Sequence, residues 1–149
     1  MDVRAAVLGD VDGFLALAAG VEQWFGPMVA DPGFLDVLHR NIGRGSAFVV
    51  PGPEGQLLGG ILTGGQAPSR RINWLVVEAA ARRSGVGQAL VDHVVQLCRR
   101  PCSLEVVTFS ADHPAAHPSG ARAFYDRLGF VAGESLENGS RQRFRLALG

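Results

Sequence analysis

Residues 71–99 hold a β-branched and aromatic run, a glycine pair and a helical apolar pattern in direct succession. Ile72-Asn73-Trp74-Leu75-Val76-Val77 is too short for a helix and is bounded by Arg71 and Glu78, so it reads as a strand. Downstream, Gln88, Asp92, Gln96 and Arg99 fall on one helical face at spacings of four and three. Leu90, Val91, Val94, Val95, Leu97 and Cys98 form a broad apolar face. Such a helix is expected to lie on a sheet with one strip wet.

The loop between strand and helix has the chemistry of an anion site. Gly85 and Gly87 remove side chains that would keep a ligand from the unpaired N–H groups of a helix N-terminus. The helix dipole favours phosphate there, and Arg82 and Arg83 add two positive charges with bidentate donors. No Gly-Lys-Ser/Thr ending is present, which argues against a nucleoside triphosphate loop. The dinucleotide pattern Gly-x-Gly-x-x-Gly fails too, because its third glycine position holds Leu90.

A chain of 149 residues is expected to form one domain over 1–149 and to bury about two thirds of its unfolded surface. Fourteen basic side chains balance fourteen acidic ones, which argues against a nucleic-acid partner. The first residues lack the basic and apolar regions of a signal peptide, and nowhere do about 18 apolar residues run together. A cytoplasmic location without membrane contact is the expectation. Cys98 and Cys102 read as small buried hydrophobes rather than a redox pair or half a metal site.

In chain order, residues 3–8 are expected to form an edge strand. Asp10 then caps a helix to Ala19, closed by Gly20, with Phe14, Leu17 and Ala18 inward. Glu22 to Met28, containing Trp24 and Phe25, reads as a loop that serves either core packing or a substrate wall. Asp31-Pro32 opens a second helix to about residue 40 or 42, ended by Gly43 and Gly45. Residues 46–50 and 56–63 form a hairpin, and 64–69 leads into the central strand. Beyond Pro101, residues 103–109 form a strand parallel to 71–78, since a helix joins them. Residues 110–119 form a proline-rich loop. His113 and His117 have metal-ligand spacing beside Asp112, but Pro114 and Pro118 disfavour the helix that would bring both imidazoles to one face, so no metal is expected. A short helix over 120–129 presents Ala121, Phe124, Tyr125 and Leu128 on one side, with Gly129 in the left-handed cap. Residues 141–148 alternate as a final strand.

Arg82-Arg83-Ser84-Gly85-Val86-Gly87, after a strand and opening a helix, resembles the pyrophosphate loop of the GNAT superfamily of N-acetyltransferases, Arg/Gln-x-x-Gly-x-Gly/Ala. Ala121 to Phe130 resembles that family's last helix, Ala-x-x-Phe/Leu-Tyr-x-x-Leu-Gly-Phe. The resemblance implies an α+β (α/β) fold, with a mixed twisted sheet of six or seven strands and about four helices. The fourth and fifth strands splay apart around acetyl-CoA. It further implies that Arg82, Arg83, Ser84, Gly85, Val86, Gly87 and Gln88 hold the pyrophosphate, that Val76 and Val77 pair with the pantetheine arm, and that Phe124 also lies at the cofactor.

Acetyl transfer from coenzyme A to an amine needs a held donor, a polarised carbonyl, a neutral amine and a protonated leaving thiolate. Tyr125, the only tyrosine in the chain, is the candidate acid. A phenol of pKa about 10 stays protonated at neutral pH and can donate to a thiolate of pKa about 8.5. For the base, some family members carry a glutamate early in the fourth strand, where this chain has Arg71, Ile72 and Asn73. Glu22, Asp112 and His113 are the alternatives, or ordered water. Trp24, Phe25 and Asp112 are candidates for the acceptor pocket. Ala79 and Pro118 depart from the proline and asparagine common at those family positions.

The sequence leaves open a non-catalytic acyl-CoA-binding module, O-acylation and longer acyl groups. A polycationic acceptor would need Glu22, Asp31, Asp36 and Asp112 to converge. The chain is expected to act as a monomer or homodimer.

Overall fold

The computed structural model describes residues Met1–Gly149. Its strands are β1 (Arg4–Ala5), β2 (Ala47–Pro51), β3 (Leu57–Gln66), β4 (Ser69–Val77), β5 (Cys102–Phe109), β6 (Val131–Leu136) and β7 (Arg141–Leu148). Its helices are α1 (Val11–Ala19), α2 (Glu22–Phe25), α3 (Pro32–Arg44), α4 (Val86–Leu97), α5 (Ala116–Ser119) and α6 (Ala121–Arg127). The strands form one mixed sheet in the order β1-β2-β3-β4-β5-β7-β6. β4 and β5 run parallel, whereas β1–β2, β2–β3, β5–β7 and β6–β7 are antiparallel. The chain divides into two compact units, Met1–Thr63 with Trp74–Gln96, and Gly64–Asn73 with Leu97–Gly149.

In the first unit, two adjacent glycines of β3 set the positions of two helices. A Cβ on Gly59 would lie 2.6 Å from Val86 Cγ1 and 3.1 Å from Leu90 Cδ1, while one on Gly60 would lie 2.6 Å from Phe14 Cε1. Successive strand residues point to opposite faces, so α4 sits on one face of β3 and α1 on the other. Phe14, Leu17, Leu38, Val49, Leu62 and Val76 form the core beside α1, and Trp74 packs on it between Phe14 and Phe34. Gln88, Asp92 and Gln96 are exposed, the wet strip that helical spacing predicts, whereas Arg99, expected on the same face, is exposed but lies beyond the end of α4. Leu97, expected on the apolar face, is 46% exposed because α4 stops there.

In the second unit, β5 pairs with β7 along its whole length, from Cys102↔Leu148 to Phe109↔Arg141. The β4–β5 ladder is short and ends at Ile72↔Val106. Val106 and Phe144 are buried partners on the face that α6 covers, where the Tyr125 and Phe144 rings approach to 6.5 Å. Glu105, Val107, Arg143 and Arg145 point the other way.

Several local expectations are corrected. β1 has only two residues, because Val7 enters a 3₁₀ turn at Leu8–Asp10. Asp10 does not cap α1 with its side chain. Its carboxylate accepts from Arg4 at 2.8 and 2.9 Å and from the Val7 N–H at 2.8 Å, and this holds its pKa below the ordinary value. Asp31 does cap α3, accepting from the Gly33 N–H at 2.9 Å, but the helix runs through Gly43 and ends at Gly45, whose φ of +71° gives the left-handed cap. β3 extends to Gln66, into the stretch read as a connection. Glu22 to Phe25 and Ala116 to Ser119 are single helical turns inside stretches expected to be loops.

Candidate active site

β4 ends at Val77, with Val76 buried, and the next N–H, that of Glu78, donates to the Leu58 carbonyl at 2.8 Å. A 3₁₀ turn over Ala79–Ala81 follows, and the Ser84 hydroxyl donates back to the Ala81 carbonyl. Arg83 has φ +65°, a left-handed conformation that non-glycine residues adopt uncommonly, and Gly85 has φ +90°. A Cβ at Gly85 would touch nothing within 4 Å. Glycine is therefore required there by backbone conformation, and no protein atom fills the space beside it. Val86, Gly87 and Gln88 present amides ahead of the first helical bond, Ala89 N–H to Gly85 carbonyl at 2.9 Å. Arg82 and Arg83 are both exposed and form no ion pair. Three amides at a helix N-terminus with two guanidiniums form a donor set that fits a diphosphate.

The Arg82 guanidinium lies over the Trp24 ring, 4.9 Å from its centroid. Trp24 is half-buried and joins the core cluster, so it packs while also meeting the loop; Phe25 is 47% exposed. Glu22 has a different task from the one expected. Its carboxylate accepts from the Met28 N–H at 2.6 Å and the Val29 N–H at 3.1 Å, folding the chain back after Gly26-Pro27. Those bonds lower its pKa, which makes it a poor proton acceptor near neutrality.

In the second unit, Tyr125 stands on α6 with its ring edge-on to Phe124 at 5.0 Å and to Phe130 at 5.3 Å. The C-terminus of α6 explains this placement. Gly129 adopts φ +93°, and the Phe130 N–H reaches back to the Tyr125 carbonyl at 3.1 Å, swinging Phe130 under the helix. Burial raises the phenol's pKa, so it stays protonated, and its hydroxyl donates to no protein group. Asp112 is exposed and unpartnered. His113 stacks on Phe109 at 4.5 Å, and its Nδ1 accepts from the Ala115 N–H at 3.0 Å. In the neutral ring that leaves the proton on Nε2, so His113 has no free lone pair to act as a base. Cys98 and Cys102 are buried free thiols, and desolvation followed by its neighbour Cys102 raises the Cys98 pKa. No three His, Cys, Asp or Glu side chains converge.

Sequence reading missed a charged row on the open face of the second unit. Arg145 binds Glu134 through two bonds of 2.7 and 2.9 Å and Glu105 at 3.1 Å, while Arg143 meets Glu134 at 3.2 Å and Glu105 at 3.8 Å. The alternation in Arg141-Gln142-Arg143-Phe144-Arg145 was the available signal, since a strand puts those three arginines on one face.

The family model of the GNAT acetyltransferase domain matches residues 39–132, more than half the chain. The chain belongs to the GNAT acetyltransferase family. No curated protein matches it. Among solved structures it is similar to Ard1 from Thermoplasma volcanium, at 22% identity over 99% of this chain and 97% of that one, with a TM-score of 0.76. A ribosomal-protein-alanine N-acetyltransferase from Brucella melitensis is similar at 18% identity over 99% and 100%, with a TM-score of 0.75. The PaiA N-acetyltransferase from Thermoplasma acidophilum, in complex with coenzyme A, is similar at 14% identity over 99% and 98%, with a TM-score of 0.75. No helix is long and apolar enough to cross a membrane.

Proposed function

We propose that the chain is an acetyl-CoA-dependent N-acetyltransferase that acts on a primary amine. The observation that carries this reading is the loop from Arg82 to Gln88, in which left-handed Arg83 and Gly85 lead into three unpaired amides at the N-terminus of α4, beside two exposed arginines. Non-glycine residues in left-handed backbone, as Arg83 is, cluster at functional sites. Acetyl-CoA, when bound, supplies an activated acyl carbonyl and a thiolate leaving group. Arg82, Arg83 and the amides of Val86, Gly87 and Gln88 hold its diphosphate. Ser84 keeps the loop in shape through its bond to Ala81. The main chain at Val76 and Val77 orients the pantetheine arm, and Phe124 packs beside the cofactor.

Tyr125 supplies the proton for the departing thiolate. Its neutral, unpartnered hydroxyl supports that role, since a donor already spent on a protein acceptor would be unavailable. Glu22 and His113 are occupied by main-chain N–H groups. The amine therefore loses its proton to water, with Asp112 the free carboxylate among the predicted bases.

Thermal shift with coenzyme A tests the cofactor: a ligand at 100 times its Kd adds about 2.7 kcal/mol. Thiol release from acetyl-CoA across an amine panel tests the chemistry. Tyr125→Phe is expected to lower kcat about a hundredfold or more while the thermal shift persists. Binding without turnover would instead indicate an acyl-CoA-binding module.

A further inference from the structure

The face of the second unit opposite α6 holds a recess of about 140 Å³ lined by Arg71, Ile72, Asn73, Glu105, Val107 and Arg143, among others. Its size is close to the ~150 Å³ cavity that accepts a benzene molecule, so it takes a group of about six heavy atoms. It lies where the β4–β5 ladder stops at Ile72↔Val106. Register aligns Arg71 with Glu105 and Glu105 with Arg145, a row of alternating charge across three strands.

That row is unbalanced. Glu105 and Glu134 are taken up by Arg143 and Arg145. The Arg71 side chain makes no ion pair or hydrogen bond, and neither does that of Asn73. Arg141 is held by Glu137 at 3.7 Å, so the other three guanidiniums, of Arg71, Arg143 and Arg145, face two carboxylates, and the unmatched positive charge belongs to Arg71. Room has been made for it: a Cβ on Gly64 would lie 2.7 Å from Asn73 Nδ2 and 3.1 Å from Arg71 Nη2, so a bare α-carbon lets both side-chain ends lie against the β3 backbone. A planar guanidinium with its fork free, next to an amide that can donate, matches a carboxylate. Half-exposed Val107 gives the recess an apolar wall.

Taking the acetyltransferase reading as its basis, we infer that the recess binds the carboxylate of the acceptor, so that the substrate class is amines bearing a carboxylate, amino acids above all. The same charge balance repels polycations. A polyamine acceptor would need Glu22, Asp31, Asp36 and Asp112 to converge, whereas Glu22 folds its own loop, Asp31 caps α3, and the carboxylates of this face are already neutralised.

The test pairs each of the twenty amino acids, β-alanine and γ-aminobutyrate with its carboxamide, adds aminomethylphosphonate and spermidine, and reads acetyl-CoA turnover together with thermal shift by each amine. Coenzyme A binding is measured separately, so failure of the cofactor reading is distinguishable from failure of this one. The expected result is at least one acid preferred about ten- to a hundredfold over its carboxamide, the loss when a charged hydrogen bond is removed. Arg71→Gln should abolish that preference and leave the coenzyme A shift intact. Gly64→Ala, which displaces only flexible side-chain ends, should weaken it. Equal response to acid and carboxamide in every pair, a preference for spermidine or the phosphonate, or a preference that survives Arg71→Gln would overturn the proposal.

Discussion

Gly85 and Glu22 show how residue type and residue role part company. A φ of +90° admits an L side chain only with strain, so Gly85→Ala is expected to cost about 1–2 kcal/mol in the loop and to raise KM for acetyl-CoA with little change in kcat. Steady-state kinetics with melting curves checks both. Glu22→Gln is expected to leave the acid limb of the kcat/KM pH profile where it is, because a carboxylate whose pKa is lowered by two main-chain donors stays ionised at every pH where the amine reacts. The glycine was legible because its neighbours in sequence decide its conformation. Glu22 was not, since its partners are the N–H groups of residues 28 and 29, which meet it only after Gly26 turns the chain with φ +85°.

Elements were legible wherever a cap or a period is written locally. Asp31-Pro32 marks the start of α3, and Asp31→Ala should remove about 1 kcal/mol, lowering Tm by about 2–4 °C in a differential scan. The wet strip of α4 and the pairing of β5 with β4 followed from spacing and connectivity. What spacing could not reveal is how α4 is seated. Gly59 looks like any strand glycine until its missing Cβ is found 2.6 Å from Val86 Cγ1. Gly59→Val should push the first turn of α4 off β3, cost about 1–3 kcal/mol by overpacking, and weaken coenzyme A binding, because that turn carries the amides proposed to hold the diphosphate. Titration calorimetry of this variant against coenzyme A reads the second effect directly.

At the scale of the whole molecule, long-range pairs decide what single segments do not announce. Glu134 is pulled down to about 2, first by its bonds to Arg145, from an ordinary value of 4.5. A carboxylate depressed in the folded state stabilises fully above its unfolded pKa and loses that contribution as pH falls toward the folded value. Acid titration of stability should therefore steepen between about 4.5 and 2, and Glu134→Gln should flatten that segment of the curve. Sequence could not foresee this because residues 105, 134, 143 and 145 come from three strands, assembled by a β7 that inserts between β5 and β6. The division of the chain carries a last consequence. Residues Gly64–Asn73 belong with Leu97–Gly149 although Met1–Thr63 and Trp74–Gln96 flank them. Each half is thus woven from separate lengths of polypeptide, and no single scissor cut in the gene yields either one. Recombination can inherit this architecture entire or wreck it, and a ribosome must have made most of the protein before either half has all its parts.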